Sequence, residues 1–488
     1  MSTDLNTDLP SPGVNLPVAP DPRRWLALVV FAAAILMVVL DASIVNLALP
    51  QAQHDLEITD ANRQWVITAY TIAFGGLLLL GGRIGDLLGR KRIFVLGLTG
   101  FAAASALGGL APDAPVLFTA RALQGVFAAL LAPAALSLIS VTFVDDRERA
   151  RAFAVYGAVG GAGGAVGLIL GGALAEYASW RWCLFINVPI AVGAVLGALV
   201  LVPESRTNVA KRYDVPGAVL VTAGSLVLVY AVSLAAQGTG WLAPATVSLF
   251  AAALVLLIGF IIVERRSAAP LLPLRVVGDR VRGSAFAVSA LVSAGMFAMF
   301  LFLAYYLQID RGYSALLAGL AIFPFSMGFV VTASFAPKVI SRYGPRPLVI
   351  AGAITATGAM TWLALLITSS DYWIGVLPAL LLMSIGLTFV LVPLSILALS
   401  GVQASDAGVA SAMLNVTQQT GGALGIALLN TLYTHAAGTT PAPTELAAHL
   451  VGYRVVFAVA AGFFAVALLA MLVARGGRSR RVTESRSD

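Results

Sequence analysis

Fourteen apolar runs of about twenty residues, separated by short polar loops, fill the sequence from Trp25 to Ala474. They place spans at 25–49, 62–81, 93–111, 116–143, 152–175, 182–202, 215–236, 242–263, 283–307, 314–338, 348–368, 374–400, 407–435 and 453–474. A run of this length is what an α-helix needs to cross about 30 Å of hydrocarbon. A barrel strand would be half as long and would alternate apolar with polar residues. Charged residues make up only 11% of the chain, against about 25% in soluble domains. The reading is an all-α polytopic membrane protein.

An even number of spans puts both termini on one side. Of the thirty Lys and Arg residues, Arg63, Arg181, Arg311 and Arg454 fall in loops on the opposite side and Arg121 lies within a span; the other twenty-five share the side of the termini. Basic loops stay in the cytoplasm, so both termini are expected there, in a cell (plasma) membrane. The net charge of +7 is then a topology signal plus contact with anionic lipid, and no nucleic-acid partner is called for. Only Lys91, Lys211 and Lys338 are Lys, and with heavy Ala, Gly and Val usage this fits a GC-rich bacterial genome.

The single cysteine, Cys183, excludes an intrachain disulfide. His54, His435 and His449 are scattered near helix ends and read as interfacial residues, not metal ligands. There is no phosphate-cradling loop with its lysine, so ATP drive is unsupported. Nor is there a nucleophile–base arrangement, so neither an enzyme nor a cofactor is indicated. The Pro-rich residues 1–24 lack an apolar run and are expected to be a disordered tail. Residues 476–488 read as a basic segment at the membrane surface.

Asp41 interrupts the first apolar run. A carboxylate at that depth costs roughly 2.5–3.5 kcal/mol on insertion scales, so it has a partner or a task. Counting from Pro50, it lies about 13 Å below the surface opposite the termini, and Arg121, counted from Pro115, lies about 9 Å below the same surface. A buried Arg keeps its charge and needs a counter-ion. Burial favours a protonated carboxyl and a nearby guanidinium favours an ionised one. A change in their separation would therefore take up or release a proton. The competing reading is a permanent pair that holds helices one and four in register.

The loop GGRIGDLLGRKRIF (Gly81–Phe94) and the loop KVISRYGPRPLVIAG (Lys338–Gly352) each carry a Gly followed by basic residues; aligning Gly89 with Gly344 sets Ser341 opposite Asp86. Duplicated halves would leave this trace. The resulting division is a six-helix bundle at 25–203, two inserted helices at 204–267 and a second six-helix bundle at 268–475. In the fifth span, Gly164, Gly167, Gly171 and Gly172 include pairs four apart, a bare face that permits close helix approach.

At this point the chain resembles the major facilitator superfamily, and within it the fourteen-spanner drug:proton antiporters. Four stretches carry the resemblance: LDASIVNLALP (Leu40–Pro50), GRIGDLLGRKRIF (Gly82–Phe94), LFTARALQGVFAA (Leu117–Ala129), and GAVGLILGG (Gly164–Gly172) with WRWCLFINVPI after it. Two departures stand out. Leu168 follows Gly167 where the family usually has proline, and Ser341 replaces the acid of the second-half loop.

The resemblance implies a proton-coupled antiporter that exports lipophilic or amphipathic small molecules, with Asp41 and Arg121 coupling the proton. It implies gating at the cytoplasmic end by Asp86, Gly89, Arg90, Lys91 and Asp145. It also implies a cleft lined by Tyr70, Gln124, Tyr305, Gln308, Asn415, Gln418 and Gln419. The partners are a small-molecule substrate, protons and lipid, and the expected state is a monomer. The alternatives are a uniporter or symporter importing a nutrient, which Leu168 keeps open, and a non-transporting receptor or enzyme on the same fold.

Overall fold

The computed structural model describes residues 23–60, 62–143, 145–204, 214–235, 240–267, 278–367, 371–402, 407–439 and 444–473. Nearly all of both tails and the side chain of Asp86 lie outside the described residues. Among the described residues fourteen helices follow in order. The first six are α1 (Arg24–Asp55), α2 (Trp65–Leu88), α3 (Arg90–Gly109), α4 (Ala114–Thr142), α5 (Asp146–Tyr177) and α6 (Trp182–Leu201). Next come α7 (Val215–Leu234) and α8 (Pro244–Arg266). The last six are α9 (Arg280–Asp310), α10 (Ala315–Tyr343), α11 (Pro345–Leu366), α12 (Tyr372–Leu399), α13 (Ala407–Thr439) and α14 (Glu445–Val473). Eleven of the described helices are long and apolar enough to cross a membrane.

Polar residues at the span borders start the helices. Asp113 accepts from the Val116 amide at 2.9 Å to cap α4, and Ser314 caps α10 through the Leu317 amide. Such caps satisfy amides that the first turn leaves without partners. The loop between α2 and α3 is shorter than the sequence suggested. Helix α2 runs on to Leu88, and the whole turn is Gly89, at φ 104°. Gly344, at φ 82°, makes the same one-residue turn between α10 and α11. Both positions need a conformation that glycine adopts without strain, so the repeat seen in the sequence reappears as two equivalent corners.

Helices α1–α6 form one bundle and α9–α14 the other, with α7 and α8 packed as a hairpin outside them. Helix α7 lies against both α2 and α13, and the Thr222 hydroxyl donates to the Gly76 carbonyl at 2.6 Å. Two seams join the bundles, α2 with α13 and α5 with α10. We call the end carrying the chain termini the terminal face and the other end the distal face. At the distal end of the α5–α10 seam the two backbones touch. A Cβ on Gly172 would fall 2.6 Å from the Ala315 carbonyl oxygen and 2.7 Å from the Leu316 Cα, and one on Gly319 would fall onto the Leu168 carbonyl oxygen. Glu176 also accepts from the Leu316 amide at 3.0 Å. The halves are thus closed on the distal side. Helix α5 passes Leu168 unbroken.

Candidate functional site

Asp41 and Arg121 meet in the core of the first bundle, 0% and 1% exposed, with Arg121 Nη1 2.6 Å from Asp41 Oδ2. Helix α1 supplies the acid and α4 the base. The carboxylate has two further donors. Gln124 Nε2 reaches Asp41 Oδ1 at 3.0 Å, and Asn187 Nδ2 of α6 reaches the same oxygen at 2.8 Å. Ser105 of α3 closes the cluster, accepting from Gln124 at 2.7 Å and from Asn187 at 3.4 Å. Four helices therefore converge on one carboxylate. Every hydrogen bond to it is donated, two to Oδ1 and one to Oδ2, as an ionised carboxylate requires.

Arg121 has other partners besides Asp41. Its Nε donates to the Val66 carbonyl at 2.8 Å, its Nη1 also reaches Gln124 Oε1 at 2.8 Å, and its guanidinium lies 4.7 Å from the Tyr70 ring centroid. A buried guanidinium needs such partners to keep its charge. With them in place, the loss of one contact to Asp41 does not strand it.

Asn187 and Ser105 were not singled out in the sequence, although Asn187 stands inside FINVP as a lone amide in an apolar span. Three further acids are buried: Asp214 and Glu264 are 5% and 4% exposed, and the side chain of Asp310 is 3% exposed. All three lie at or near helix ends. The Oδ1 of Asn187 has no protein partner.

The remaining sequence candidates separate into three groups. Tyr70 and Gln124 belong to the Asp41 cluster, where Gln124 is fully engaged. Tyr305 and Gln308 lie at the distal end of α9, with the Tyr305 hydroxyl donating to Gln53 of α1. Gln308 borders a distal groove of about 480 Å³ together with His54, Asp55 and Trp180. Asn415 is exposed and bonds its own helix at Ser411, Gln418 is half-buried, and Gln419 packs at Gly75 on the α2–α13 seam.

At the terminal face, Lys91 donates to the Leu199 carbonyl at 2.9 Å, and Arg92 lies 3.5 Å from Glu204. Gly89 is packed so closely that a Cβ there would sit 2.6 Å from Glu204 Oε1. Arg90 is half-buried beside this corner. Asp145 caps α5 through the Arg147 and Glu148 amides, while Glu148 accepts from Arg24 Nη2 and Nε, at 2.8 and 3.0 Å. The glycines of α5 face two ways. Gly167 and Gly171 touch α1 at Ser43 and Ile44, Gly164 has only ordinary contact with Ser43, and Gly172 faces the other bundle.

The family model of the Major Facilitator Superfamily matches residues 31–426. The chain is 47% identical to the puromycin resistance protein pur8 of Streptomyces alboniger, covering 96% of this chain and 94% of that one. It is 40% identical to the cephamycin export protein CmcT of Amycolatopsis lactamdurans, covering 87% of each. Among solved structures, a bacterial homolog of the human lysosomal transporter Spinster, in an inward-facing form, overlays with a TM-score of 0.66 at 17% identity, covering 94% of this chain and 100% of that one. The POT family transporter PepTSo overlays with a TM-score of 0.68 at 15% identity, covering 93% and 99%.

Proposed function

The chain belongs to the Major Facilitator Superfamily, and from that premise we propose that it exports lipophilic or amphipathic small molecules across the cell membrane in exchange for protons. It is a multi-pass membrane transporter of small molecules rather than an enzyme. Export is supported by the relatives, one a puromycin resistance protein and one a cephamycin export protein. Basic loops at the terminal face support a cytoplasmic placement of that face, which makes the distal face the outer one.

The observation that carries proton coupling is the fully buried Asp41–Arg121 pair with the two further side chains that donate to the carboxylate. In the distally closed form the carboxylate is engaged by three side chains. When the bundles rock and the distal face opens, a proton from outside binds Asp41 and releases Arg121 to Gln124, Val66 and the Tyr70 face. Return to the closed form restores the Arg121 contact and drives the proton off toward the cytoplasm. The cargo moves the other way, between the bundles.

The test uses liposomes with an imposed pH gradient, one lipophilic cation and one neutral antibiotic. Wild-type protein accumulates cargo against its gradient, and Asp41→Asn does not. Export by Asp41→Asn at wild-type rates against a gradient would overturn the coupling role.

A further inference from the structure

Arg63 precedes α2 in a short distal loop, where a basic residue is normally solvated. Here it is 2% exposed. Its guanidinium enters the second bundle, with its carbon 4.2 Å from the ring centroid of Tyr305, 5.0 Å from that of Tyr433 and 5.6 Å from that of Phe302. Arg63 Nε donates to Asn430 Oδ1 at 3.2 Å, a contact spanning 367 positions in sequence. The four receiving residues lie on α9 and α13 and are each at most 4% exposed. Three electron-rich faces and one amide oxygen around a cation form a cation-binding cage.

Behind the cage stands a buried acid. Tyr433 and Tyr453 lie 5.1 Å apart, and the Tyr453 hydroxyl donates to Asp310 Oδ2 at 2.6 Å, while His449 Nδ1 lies 2.8 Å from Asp310 Oδ1. The cage therefore belongs wholly to the second bundle, and its present guest belongs to the first. The fit is incomplete: Arg63 Nη2 is buried with no hydrogen-bond partner. An orphaned donor offsets part of what the cage provides, which suits a guest that must leave. Arg63 sits at the distal end of the α2–α13 seam, so parting the bundles withdraws it and turns the cage toward the opening.

We propose that Phe302, Tyr305, Asn430 and Tyr433 form a binding subsite for an organic cation, held by Arg63 while the distal face is closed and open to the cationic group of departing cargo once it parts. Return of Arg63 then displaces the cargo, so closure and release are one event. This subsite rests on the export reading for its physiological guest, but its chemistry is testable without transport.

The probe is tetramethylammonium, and the readout is NMR saturation transfer from the full chain in nanodiscs to its methyl protons. A site shared with an internal guest has its apparent affinity reduced by the fraction of time that guest occupies it. Arg63→Ala should therefore bind tetramethylammonium about ten-fold more tightly than wild type if Arg63 fills the cage about nine-tenths of the time. Adding Tyr433→Leu should abolish the gain. Arg63→Lys, which keeps a cation at the same position, should give a smaller gain and serves if Arg63→Ala does not fold. Equal affinity in wild type and the Arg63 variants, or a gain that survives Tyr433→Leu, overturns the proposal. A gain in a protein that moves no cargo would refute the export reading and leave the cage standing.

Discussion

Replacing Gly172 by Ala tests whether the distal closure is one state of a moving machine. The added methyl would sit 2.6 and 2.7 Å from backbone atoms of Ala315 and Leu316, and backbone cannot rotate aside as a side chain can. Overpacking of this kind costs about 1–3 kcal/mol. The strain exists only while α5 and α10 touch, so it falls on the closed form alone. At about 1.4 kcal/mol per factor of ten, a mid-range value near 2 kcal/mol shifts the closed-to-open ratio by roughly thirty-fold. Helix propensity works in the other direction for overall stability, since Ala exceeds Gly by about 1 kcal/mol in a helix. The variant should therefore fold well and yet fail to close.

The assay is a spin-label distance between distal positions on the two bundles, Leu110 and Trp373, both 71% exposed. The labels are placed in a Cys183→Ser background, since Cys183 is the only native cysteine. Gly172→Ala should move the distribution to the longer distance and slow turnover. Gly164→Ala is the control, because its methyl would meet only Ser43 Oγ at 3.8 Å. An unchanged distance distribution with wild-type turnover in Gly172→Ala would refute the reasoning.

Arg121→Lys cannot reach Val66, Gln124 and Asp41 together, so pH-driven flux should drop at least ten-fold, given about 1–3 kcal/mol for each buried group left unsatisfied; flux in the same liposomes checks this. Asn187→Leu removes one of the three side chains that donate to Asp41 and should lower kcat several-fold with KM little changed, as steady-state transport would show. With one acid in the transport core, dicationic drugs should be exported far more slowly than monocations of similar size, a comparison that efflux from loaded vesicles can make.

The helices were legible because hydrocarbon demands runs of a fixed length, and these runs leave no other option. The meeting of Asp41 with Arg121 was legible because depth can be counted along a helix from its end. What depth counting does not give is rotation. Ser105 and Asn187 complete the cluster only because α3 and α6 turn those faces inward, and nothing local in sequence sets that angle. The same gap hid the difference between Gly167, which serves α1, and Gly172, which serves the opposite bundle. Arg63 was hidden more deeply. A basic residue in a short loop looks solvated, and its burial follows from docking against residues more than 200 positions away. Tyr305, read from the sequence as cleft-lining, stands at the distal end of α9 with its ring against Arg63.

The hairpin of α7 and α8 makes the two sides of this molecule unequal. It sheathes the joint between α2 and α13, with Thr222 fastened to Gly76, while no described helix covers the joint between α5 and α10. A greasy solute dissolved in the bilayer therefore meets one flank sheathed by a helical hairpin and one where the two bundles face lipid directly. Any approach within the membrane plane would be handed, since a solute on one flank has a hairpin to pass that its counterpart on the other flank does not.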